Sequence, residues 1–131
     1  MKLESRRNLP YKVAAFAMIG AIYGVFVYMN WSRLLPRGKV DLAVSIAAIF
    51  GSIITSLGSD LRNHRVVIVL GVLCACHSGF AVHFLAKGVY IRPLFYVPIG
   101  LLEVAISLLA LLILGGARFK EFRAGSADRR N

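Results

Sequence analysis

The chain alternates between long stretches without charge and short clusters of cations. Four apolar runs, Val13 to Ser32, Leu42 to Ser59, Val66 to Ala86 and Pro93 to Ala117, carry one charged side chain among them, Glu103. Each is close to the roughly 20 residues that a helix needs to cross the hydrocarbon core. Backbone in lipid has to satisfy its own hydrogen bonds, so the runs predict helices over about residues 11–29, 42–58, 66–85 and 94–115. Leu9-Pro10 reads as a breaker before the first helix, and Leu34-Leu35-Pro36-Arg37-Gly38 as a turn between the first and second. Short loops make consecutive helices antiparallel neighbours. The predicted fold is all-α, a single integral membrane four-helix bundle over residues 1–131.

Small residues recur at helical spacing inside these runs. Gly20 and Gly24 form a GxxxG pair in the first helix. Ala47, Gly51, Thr55 and Ser59 follow at four-residue intervals in the second, and Gly71, Ala75, Gly79 and His83 in the third. Gly100, Glu103, Ser107 and Ala110 make a small, polar stripe in the fourth. Apolar burial does not drive helices together in lipid, so close backbone approach at small residues does, and these stripes predict the packing faces. Pro93 and Pro98 predict an irregular start to the fourth helix, and Gly115-Gly116 its end. Tyr28, Trp31, Tyr90 and Tyr96 fall at interfacial depth, where aromatic side chains anchor.

Glu103 lies nine residues beyond Leu94, about 13.5 Å at helical rise, which is near mid-membrane. A carboxylate there has to face protein or water, find a partner or hold a proton. Counted back from Leu85, His77 is about 12 Å deep. The two depths match, and each group is otherwise isolated in lipid, so the sequence predicts that His77 and Glu103 face one another and share a hydrogen bond.

Composition agrees with a membrane domain: 131 residues, 58% hydrophobic, with a mean hydropathy of +0.71. The net charge of +10 sits at helix ends, where it is an orientation signal, and implies no nucleic-acid partner. Lys2, Arg6, Arg7, Lys12, Arg62, Arg65, Arg118, Lys120, Arg123, Arg129 and Arg130 fall on one side, against Arg33, Arg37, Lys39, Lys87 and Arg92 on the other. The positive-inside rule then puts both termini in the cytoplasm. Arg118, Lys120 and Arg123, interleaved with Phe119 and Phe122, make a basic juxtamembrane surface for anionic headgroups. The first run is too long for a signal-peptide core and reads as a retained helix. Asn30-Trp31-Ser32 has the form of a glycosylation sequon but abuts the membrane.

Candidate chemistry is sparse. Cys74 and His77 share a helix face, and both residue types bind zinc and haem iron, but both membrane histidines sit on one helix, whereas a haem clamp needs two. Cys74 and Cys76 point about 200° apart and cannot pair. No Ser/His/Asp set, paired carboxylates or phosphate-cradling glycine loop is evident, so the sequence points to no catalytic residue, metal or cofactor. An intramembrane acid is a functional-site hypothesis in itself, which makes a small proton- or cation-coupled transporter using Glu103 the alternative to a structural role.

From Trp31 onward the chain resembles the transmembrane protein 107 family, the small tetraspan proteins of the ciliary transition zone. The residues that carry the resemblance are Trp31-Ser32-Arg33, Ala75-Cys76-His77-Ser78, Leu94-Phe95-Tyr96-Val97, Leu102-Glu103-Val104-Ala105, and a glycine followed by a basic tail. The first loop is shorter than that family's, and cysteine and histidine stand in swapped order. The resemblance implies a non-enzymatic assembly and anchoring component of the transition zone, supporting ciliary membrane composition and ciliogenesis, with the bilayer and other membrane proteins of that complex as partners.

Overall fold

A computed structural model describes residues 2–119, with the backbone alone for residues 2–5. Four helices are observed: α1 (Lys2–Met29), α2 (Pro36–Leu57), α3 (His64–Ala86) and α4 (Pro93–Ile113), with a 3-10 turn, Gly58–Arg62, between α2 and α3. All four are long and apolar enough to cross a membrane, and no strand occurs among the described residues. The protein is an all-α, multi-pass membrane four-helix bundle.

Large aliphatic side chains build the core. α2 buries Leu42, Ile46, Ile49, Phe50, Ile53, Ile54 and Leu57. They meet a stripe of α3 at four-residue spacing, Val66, Leu70, Cys74, Ser78 and Val82. α2 and α3 form the centre, and α1 and α4 each pack against both. α4 buries only Ser107 and Leu111, leaving most of its apolar surface to lipid.

The small-residue stripes of α2 and α3 therefore do not define the buried faces as expected, whereas the stripe of α4 does face the bundle, with Ser107 buried and Gly100, Glu103 and Ala110 half-buried. Ala47 and Thr55 are exposed, and Gly51 meets α1. On α3 the glycine stripe lies one residue, or about 100°, away from the core stripe. It forms the flank that receives α1: a methyl group at Gly71 would sit 3.4 Å from Met18 Sδ, and one at Gly79 or Gly51 3.7 or 3.6 Å from Phe26 or Phe16. The glycines are sockets for three side chains of α1, while the bundle centre is filled by volume. Gly20 and Gly24 face outward, with nothing within 4 Å of an added Cβ.

Two helix starts differ from the expected ones. α1 runs through Pro10 instead of beginning after it. A proline removes one helical hydrogen bond, but the extension is held against the 3-10 turn, where the Arg62 guanidinium lies 5.5 Å from the Tyr11 ring centroid. α2 begins at Pro36, so the expected turn is instead a helix start. Leu35 is extended at φ −64° and ψ 155°, as the residue before proline prefers, and Pro36 occupies the first helical position, where no N–H is needed. This brings Asp41 inside the helix, with Oδ2 buried 3.8 Å from Arg37 Nε one turn earlier. α4 is continuous through Pro98 rather than irregular.

At one end of the bundle the chain is tied together. Asn63 accepts from Arg65 N through Oδ1, capping α3, and its Nδ2 donates to Gly115 O. Asp60 accepts from Arg118 N at 3.0 Å and Phe119 N at 2.8 Å, one through each carboxylate oxygen. The start of α1, the second loop and the segment after α4 thus gather on one side, as the charge pattern requires. Gly115 is there by necessity, because a Cβ would lie 2.7 Å from Leu111 O and 3.3 Å from Val66 Cα. Gly116 follows in the left-handed region at φ +68°.

Candidate functional site

The polar groups at mid-depth come together on three helices. His77 Nδ1 is hydrogen-bonded to Glu103 Oε1, linking α3 to α4. On the other edge of the ring, His77 Nε2 lies 2.9 Å from Ser45 Oγ, linking α3 to α2. The face of the imidazole is set by Phe50, whose ring meets it edge-on at 5.7 Å between centroids. Each residue lies near the middle of its own helix, so the line Ser45–His77–Glu103 runs across the bundle at one level.

Sequence reasoning brought His77 and Glu103 to the same depth but missed Ser45. A serine in a helix commonly bonds its own preceding turn, and Ser45 Oγ is indeed 3.0 Å from Leu42 O. The missing signal was register: Ser45 lies next to the core position Ile46, whereas the small-residue stripe pointed to another side of α2.

The line is satisfied in two ways. Ser45 can donate to His77 Nε2 while Nδ1–H donates to the Glu103 carboxylate. Alternatively, Ser45 donates to Leu42 O, Nε2–H donates to Ser45 Oγ, and a protonated Glu103 donates to Nδ1. The second arrangement holds one proton more than the first, so passing between them takes a proton from outside the line and breaks no helix contact. A serine, a histidine and an acid in this order are the parts of a hydrolytic triad, but Ser45 sits mid-helix. The backbone N–H groups around it are engaged in the helix and are not free to hold an oxyanion.

The other candidate residues lie elsewhere. Ser107 is buried one turn beyond Glu103 on the inward face of α4. Gly51, Gly71 and Gly79 serve the α1 contact, and Gly20 and Gly24 lie on the open outer face. Cys74 is buried in the core and Cys76 is exposed. No three His, Cys, Asp or Glu side chains form a metal-holding group among the described residues. Arg118 is at the tied end, its backbone held by Asp60, while Lys120 and Arg123 lie outside the described residues.

Compared with known protein families, curated proteins and solved structures, the chain matches none.

Proposed function

We propose that the protein is a non-enzymatic tetraspan membrane component that anchors and assembles neighbouring membrane proteins, with both termini in the cytoplasm. The observation that carries this reading is the engagement of Glu103: the acid at mid-depth is bonded to His77, and His77 in turn meets Ser45. These groups grip three helices, as polar side chains in lipid commonly do. The surface left over suits lateral contact, because α1 presents Gly20 and Gly24 on an open face.

The setting we propose is the ciliary transition zone, where the protein would support ciliary membrane composition and ciliogenesis. Support for it comes from the resemblance of the Trp31, Cys76-His77, Phe95-Tyr96 and Glu103 landmarks to the transmembrane protein 107 family. Tagged protein expressed in a ciliated cell tests it: a ring at the ciliary base is expected, and uniform plasma-membrane staining contradicts it.

A second reading, a small proton- or cation-coupled carrier, draws on one observation. The Glu103 side chain remains 29% exposed, and it heads a line of groups able to pass a proton. Proton-coupled uptake into liposomes that is abolished by Glu103→Gln would favour it.

A further inference from the structure

At the end of the bundle opposite Asp60, a cleft of about 630 Å3 lies between α1 and α3. Its inner part is formed by Phe26 and Gly79 over the buried Val82, with His83 and Ala86 between these and the mouth. Its mouth is polar and basic, with Asn30, Arg33 and Lys87. Gly79 and Lys87 are about 12 Å apart along the helix axis, so the cleft reaches from headgroup level well into the acyl region. The cleft is an open groove on the side of the bundle, not an enclosed cavity.

The two cations at the mouth differ from Arg37 and Lys39 on that side. Arg37 lies 3.8 Å from Asp41 and 5.1 Å from the centre of the Tyr90 ring. Lys39 sits 3.3 Å from the centre of the Trp31 ring. Among the described residues the ion pairs are Arg37–Asp41 and His77–Glu103, and no acid lines the cleft. Arg33 and Lys87 thus place two positive charges over an apolar slot. A soluble anion would match the mouth and leave the slot unfilled; an acyl chain alone would leave the charges without a partner.

We propose that this cleft binds a phospholipid of net negative charge, its phosphate between Arg33 and Lys87 and one acyl chain along Phe26, Gly79 and Val82. Gly79 lets Phe26 of α1 lie close against α3 at the inner end of the slot, where an added Cβ would stand 3.7 Å from the Phe26 ring.

The test is native mass spectrometry of the full chain released from vesicles containing equal amounts of phosphatidylglycerol and phosphatidylcholine. Wild-type protein is expected to retain phosphatidylglycerol preferentially. Arg33→Gln with Lys87→Gln should lower that retention about tenfold or more, given the attraction of each cation for an anionic surface. Arg37→Gln with Lys39→Gln removes the same charge from the same side and should leave retention unchanged. Gly79→Leu, which fills the slot, should lower it with both cations in place, and soluble glycerol phosphate should fail to displace the lipid. Equal retention of the two lipids, an equal loss in both double variants, or full displacement by glycerol phosphate would overturn the assignment.

Discussion

His77 and Glu103 lie on helices that are adjacent in space and meet near the middle of each, where the imidazole Nδ1 and a carboxylate oxygen form a hydrogen bond. Removing the acid leaves the ring with an unmatched polar edge in an apolar setting. Glu103→Leu should therefore destabilise the bundle by about 1–2 kcal/mol, whereas Glu103→Gln, which can still bond Nδ1, should cost clearly less. Denaturant unfolding in mixed micelles reads both.

Ser45 is the weaker end of the line, because its hydroxyl has Leu42 O as a second partner. Ser45→Ala should cost about 0.5–1 kcal/mol in the same unfolding measurement. A loss as large as that of Glu103→Leu would mean that the serine, rather than the acid, fixes the ring.

How much of this was legible in the residues depends on what each step needed. The depth match of His77 and Glu103 follows from helix rise alone, so it could be drawn from the chain. Ser45 required the rotation of α2, and that rotation is set by Leu42, Ile46, Phe50 and Ile53 filling the centre, not by the small residues at Ala47 and Thr55. The start of α2 was misread because Pro36-Arg37-Gly38 carries the composition of a turn, although proline is equally at home in the first turn of a helix. The glycines of α3 did mark a contact. Which helix they contact depends on the placement of α1, which no local spacing encodes.

The glycines separate into those that the fold requires and those that it does not. Gly115→Ala drives a methyl group into backbone and should cost about 1–3 kcal/mol. Gly20→Leu and Gly24→Leu point into open space and should change stability by less than about 0.5 kcal/mol. If the α1 face is used for assembly at the proposed ciliary site, those two variants should nevertheless lose recruitment there, read by imaging next to the unfolding data.

Asp60 holds the segment after α4 by two charge-assisted hydrogen bonds to consecutive backbone amides. Asp60→Ala should speed hydrogen exchange at the Arg118 and Phe119 amides at least about tenfold, the equivalent of roughly 1.4 kcal/mol of local opening. Protection in the middle of α2 and α3 should stay as it is. Unchanged exchange at Arg118 and Phe119 would show that Asp60 does not secure this segment.

The claim that the acid in the middle of α4 serves to join helices is tested most directly by a double-mutant cycle between His77→Phe and Glu103→Leu, with unfolding free energy as the readout. The account predicts that the two losses are not additive, with a coupling of about 1 kcal/mol, near what interhelical hydrogen bonds in membranes contribute. Additive losses with no coupling would contradict it, because Glu103 would then owe its place at mid-membrane to something other than its grip on His77.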